Sequence, residues 1–242
     1  MERYKKLDVI RGITIISMIL YHGIWDITSL FQYDIPWYNG IIGHIWQQSI
    51  CWTFILLSGY CWSLGKHHIK NGIIVSLAGT IVTIVTLVVM PEERVIFGVL
   101  TMLGCSMLLL TLLEGILDRI PPAIGTMVSI FLFAIFKNIN EGSLGFEKFT
   151  IINLPDFLYK NIYTTFLGFP EKDFYSTDYF SMIPWFFLYV TGFYIYKLSK
   201  NKKELLVGKE KGWRVTSWIG KHSLLIYMLH QPLIYGIMEA IL

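Results

Sequence analysis

Charge is scarce in this sequence, and the scarcity decides its class. Aspartate, glutamate, lysine and arginine make up 15% of the 242 residues, where ordinary soluble domains carry roughly a quarter. Hydrophobic types reach 54%, more apolar surface than a soluble core of this length can hide. Cysteine is rarer still: Cys51, Cys61 and Cys105 fall singly in apolar runs. None has metal-ligand spacing, so no metal site is expected and the three read as small packing residues. No repeat of fixed period is present, and nothing is low-complexity apart from the basic stretch 200–211, which reads as a linker. A small-residue cleavage site is also missing. Residues 1–30 open basic and turn apolar like a signal peptide, but the run carries Arg11, His22 and Asp26 and reads as a retained first helix.

What the chain has in abundance is apolar runs of about 20 residues, the length that crosses a bilayer as a helix. They predict an all-α, polytopic membrane helix bundle with about seven transmembrane helices, at 8–30, 43–64, 70–90, 95–115, 120–137, 179–198 and 217–240. The fifth opens at Pro121-Pro122, a good helix start because the first turn leaves its amides unpaired. All of it, 1–242, reads as one membrane domain. The positive-inside rule sets its orientation. With the N-terminus inside and the C-terminus outside, 15 of the 20 basic residues fall on inner segments, leaving Arg94, Lys137, Lys148, Lys160 and Lys172 outside. The expected location is the plasma membrane, as a multi-pass protein. The net charge of +3 is accounted for by these inner flanks and calls for no nucleic-acid partner.

Two loops stand out. The inner segment 199–216 is strongly basic. The outer segment 138–178 is long and aromatic-rich, and structureless loops of that length are uncommon unless they work. Asp156–Phe169 has apolar residues at helical spacing and predicts an interfacial helix. It reads either as a lid or acceptor-binding rim, or as a connector seated on the surface.

Ionisable residues inside a span are costly, so each is a candidate for function. The first helix, LDVIRGITIISMILYHGIWD, holds Asp8, Arg11, His22 and Asp26. Eleven residues make almost three whole turns, so Arg11 and His22 share a face about 16 Å apart along the axis. A guanidinium binds phosphate and an imidazole handles protons. That pairing suits an acyl-CoA, whose phosphates and thioester lie at opposite ends of a long thin arm. His22 would then act as base on an acceptor or as nucleophile, with Asp26 at i+4 orienting it. The plainer readings are an interfacial Arg11–Asp8 ion pair and a buried structural His22–Asp26 pair. His44, at the outer start of the second span, reads as a further catalytic candidate or a surface histidine. His230, beside Gln231 and Pro232, reads as a donor-binding residue or an interhelical hydrogen-bonding one. Lys221 is placed with the CoA phosphates. Asp34, Asp178 and Trp185 are placed on the acceptor side, where the alternative for Trp185 is the aromatic belt.

These residues carry a resemblance. LDVIRGITIISMILYH resembles the first helix of membrane acyltransferases of the broad transmembrane acyltransferase group, in which an Arg is followed after ten intervening residues by a His, the spacing of Arg11 and His22. With FILLSG (54–59), FGVLTMLGCSMLL (97–109), DYFSMIPWF (178–186) and GKHSLLIYMLHQP (220–232), the chain is most similar to bacterial relatives of the heparan-alpha-glucosaminide N-acetyltransferase catalytic domain. The resemblance implies acetyl-CoA as donor and transfer across the membrane to an amine or hydroxyl of an extracytoplasmic, sugar-like acceptor. One feature departs. The lysosomal enzyme of that family has its active histidine in the first outer loop just before a Trp-Asn-Gly. Here the loop reads YDIPWYNG (33–40), with Asp34 and no histidine, so the role passes to His22 or His44. Competing with this reading are a proton-coupled transporter, since His22, Asp26 and His230 would also relay protons, and a non-catalytic partner of an envelope complex. The sequence leaves open whether the protein works as a homodimer.

Overall fold

The computed structural model describes residues 4–200 and 213–241; most of the predicted basic loop 199–216 lies outside the described residues. Each segment read as a span folds as helix. The first is α1 (Lys5–Trp25), continued by a π turn (Asp26–Leu30). There follow α2 (Ile41–Trp62), α3 (His68–Val89), α4 (Val99–Leu117), α5 (Pro122–Phe136) and, after a short α6 (Ile162–Leu167), α7 (Met182–Ser199). Among the described residues, four helical stretches have the length and composition to cross a membrane: Lys5–Leu30, His68–Val89, Val99–Leu117 and Pro122–Glu141.

The last predicted span is corrected. It begins earlier than 217 and divides at His222 into α8 (Arg214–Lys221) and α9 (Ser223–Ile241). The cause is local composition. Helix α8 buries Gly220 and leaves Arg214, Val215, Trp218 and Lys221 exposed, the make-up of a helix lying at a membrane interface. His222 closes it, its Nδ1 2.9 Å from the Trp218 carbonyl oxygen.

The segment 138–178 also differs from expectation. The predicted helix over 156–169 is cut to a 3-10 turn (Asp156–Leu158) and α6. The extended Asn161 caps α6 through its side chain, and Gly168, at φ +133°, ends it. Ahead of them lies an antiparallel hairpin, β1 (Ser143–Phe146) with β2 (Phe149–Asn153), in a chain read as wholly helical. Gly142 and Gly145 at positive φ take the backbone shapes that other residues resist.

The chain divides into two compact units. In the unit Ser58–Ser199, α3 inverts the soluble pattern: its buried residues are Gly72, Ala78 and Gly79, while Ile73, Leu77, Ile81, Ile84 and Val88 are exposed. A Cβ on Gly79 would stand 2.6 Å from the Thr101 amide, and one on Gly104 2.5 Å from that of Ser76. Helices that touch through small residues and turn large apolar ones outward are packed for lipid.

In the unit Met1–Leu57 with Lys200–Leu242, Ile15, Met18 and Ile50 form a buried cluster against Trp46, Phe54, Ile219, Ile226 and Tyr227. Here α1 lies backbone-to-backbone on α8: a Cβ on Gly220 would come within 1.8 Å of the Asp8 carbonyl oxygen, and one on Gly12 within 2.0 Å of that of Thr216. Gly220→Ala should therefore cost about 1–3 kcal/mol, the range for overfilling a packed contact, seen as a lower thermal unfolding midpoint in detergent. An unchanged midpoint would show that α8 can shift away freely.

Candidate active site

The site grows from one face of α1. Eleven residues beyond Arg11, the helix presents His22, and at Asp26 its pitch widens into the π turn, with the Phe31 amide bonding the Asp26 carbonyl at 3.0 Å. Such widened turns recur at functional sites. Asp26 is fully buried, and its Oδ1 accepts a hydrogen bond from Gln231 Nε2 at 2.6 Å. One residue earlier on α9, His230 sets its ring 4.9 Å from that of His22, at 63°. Two histidines, a carboxylate and an amide from α1 and α9 thus meet in one place. Pro232 follows directly, inside α9, at a position where a helix loses a backbone hydrogen bond.

The loop before α2 closes over this place. Tyr38 packs on Tyr21 at 4.9 Å and donates to the Tyr21 carbonyl oxygen at 3.3 Å. Trp46 meets Tyr21 at 5.3 Å and donates its indole N–H to Ser17 Oγ at 2.8 Å. Burial, then Tyr21 and Asp26 beside it, push the Tyr38 phenol far above its ordinary range, so it stays a neutral donor. Gly43 makes the fold-back feasible, since a Cβ there would lie 1.8 Å from the Tyr38 carbonyl oxygen. His44 follows in the first turn of α2, half-buried, its amide 3.2 Å from the Gly40 carbonyl oxygen. Asp34 is exposed on the same loop.

Toward the start of α1, Arg11 Nη1 lies 3.7 Å from Asp8 Oδ1. The tight contacts of Gly12 and Gly220 bring the exposed Arg214 and Lys221 of α8 to this end of the helix. The unit therefore has a basic end and, about three turns along the same helix, a histidine centre.

Asp178 and Trp185 belong to the other unit. Asp178 Oδ2 accepts from the Val99 amide at 3.3 Å and so caps α4. Trp185 is buried against Phe133 and Phe180, with the Lys137 ammonium 5.2 Å from its ring. Sequence reasoning passed over Tyr21, Tyr38 and Trp46. The signal for them was aromatic density around residues 37–46, which is also what an interfacial belt looks like.

No curated protein and no solved structure matches the chain. A family does, described as heparan-alpha-glucosaminide N-acetyltransferase, catalytic, over residues 3–232. That stretch holds Arg11, His22, Asp26, His230 and the helices that position them, and the chain belongs to this family of membrane acetyltransferases.

Proposed function

We propose that the protein moves an acetyl group from acetyl-CoA, entering from the cytoplasmic side, to an amine or hydroxyl of a sugar-like acceptor on the other side of the plasma membrane. In this reading residues 1–242 act as a single domain of seven spans with the N-terminus inside, the orientation that keeps 15 of 20 basic residues inside. The observation that carries it is the layout of the first unit, with Arg11 and the basic α8 at one end of α1 and the His22–His230 pair further along. Arg11, Lys221 and Arg214 hold the phosphates of the donor. The thin arm runs along α1 and delivers the thioester to His22. There the imidazole works either as base on the acceptor or as the group that takes the acetyl, beside the buried Asp26. Asp34 and His44, on the loop side of the same unit, face the acceptor; in the other unit Asp178 caps α4 and Trp185 packs against Phe133 and Phe180.

A proton-coupled transporter would use the same histidines and carboxylate, but gives the basic cluster at Arg11 no task. Donor binding separates the two. Labelled acetyl-CoA should bind the purified protein and be consumed when acceptors are supplied. Arg11→Ala should weaken donor binding about 10- to 150-fold, the equivalent of losing a charged hydrogen bond of about 1.5–3 kcal/mol, without lowering turnover at saturating donor. A wild-type protein with no affinity for acetyl-CoA would end the proposal.

A further inference from the structure

Two hydrogen-bond acceptors lie buried at consecutive positions of α9 with nothing donating to them. The first belongs to His230. Its Nδ1 lies against the backbone carbonyl oxygen of Tyr227. A carbonyl oxygen only accepts, so Nδ1 carries the proton of the neutral ring and Nε2 keeps its lone pair. That Nε2 is buried and has no hydrogen-bond partner. The second belongs to Gln231. Its amide nitrogen donates to Asp26, and its Oε1 is left buried without a partner.

Buried polar atoms are nearly always paired, and an exception needs a reason. Packing does not supply a donor here: the His22 ring meets His230 at 63°, an edge contact that leaves Nε2 unsatisfied. Two adjacent orphaned acceptors fit a ligand group that donates, which an amine or a hydroxyl does and a thioester does not.

We infer that His230 Nε2 is the base that takes the proton of the incoming acceptor, with Gln231 Oε1 holding the same group in place. The assignment rests on the transferase reading above. In the step, the acceptor nitrogen or oxygen bonds to the thioester carbonyl carbon. The carbon–sulfur bond breaks and its electron pair leaves on the CoA sulfur. The acceptor's proton passes to Nε2 and from there protonates the thiolate, so acetyl-CoA and acceptor become acetylated acceptor and free CoA. His22 is left to the acyl side of the reaction. The titratable groups around His230 are His22 and, through Gln231, Asp26 toward α1, and Tyr227 on its own helix.

The test uses the full chain in detergent and compares wild type with His230→Gln, His230→Ala and His22→Gln. Acetyl-CoA consumption is followed from pH 5 to pH 9 with amine and hydroxyl sugars as acceptors. His230→Gln should lose about 100-fold or more in kcat, within the usual contribution of a positioned base, while binding acetyl-CoA as wild type does. Its rate should no longer fall on the acid side, whereas His22→Gln keeps that limb. Added imidazole should restore His230→Ala in a saturable way, a result that a misfolded variant cannot give. Wild-type turnover with an unaltered rate and pH profile in His230→Gln overturns this assignment alone. Absence of wild-type turnover with every acceptor overturns it together with the transferase reading.

Discussion

His22→Ala should abolish acetyl transfer and leave the protein folded. The expected loss is about 10²- to 10⁴-fold in turnover, the range for removing a side chain that handles a proton or an acyl group in the transition state. Folding should survive because His22 stands beside the buried cluster of Ile15, Met18 and Ile50 rather than in it, and because it is only half-buried. Donor binding should survive too, since the proposed function has the phosphates held about three turns away at Arg11. The measurements are single-turnover transfer from labelled acetyl-CoA, donor affinity and helical content by circular dichroism. Full activity in the variant would remove His22 from the mechanism. Loss of activity together with donor affinity would instead place the histidine in the binding of the thioester arm.

The placement of Arg11 and His22 on one face was legible because helical pitch alone fixes it, and apolar run length located the helices to within a few residues. Sequence could not show what α1 would face. The sequence reads His230 as a donor-binding or an interhelical hydrogen-bonding residue, and its ring stands against His22; the pairing depends on how α9 packs, and two positions 208 residues apart carry no local signal of it. The i+4 spacing pairs Asp26 with His22, and the structure adds a partner that spacing could not name, Gln231, which donates to Asp26 Oδ1. The division of the last span at His222 was missed because Val215, Trp218 and Ile219 read as apolar in a running sum, although they belong to a short helix with one polar and one apolar side. The hairpin over 143–153 was missed for a similar reason: two short strands with glycine at their bends have little apolar alternation to reveal them.

The bond between Asp26 and Gln231 should prove to be the strongest polar link between α1 and α9. Two magnitudes compete. Hydrogen bonds between membrane helices average about 0.6 kcal/mol in double-mutant cycles, with a maximum near 1.7. Bonds to a charged group reach about 1.5–3 kcal/mol. The short length of 2.6 Å places this pair with the charged bonds. Gln231→Leu, Asp26→Leu and the double variant, unfolded thermally in detergent, should therefore give a coupling energy above about 1 kcal/mol. A coupling near zero would mean that the bond adds no stability. The same cycle can be read in activity. Gln231→Leu keeps both histidines but frees α9 from α1 and removes the Oε1 proposed to hold the acceptor, so neither the His22–His230 distance nor the acceptor is held as before. Its kcat should fall well below wild type while acetyl-CoA still binds at the Arg11 end. If kcat is unchanged although stability drops, the pair only fastens the helices, and the spacing of the two imidazoles is set by the aromatic packing of Tyr21 and Tyr227 against them.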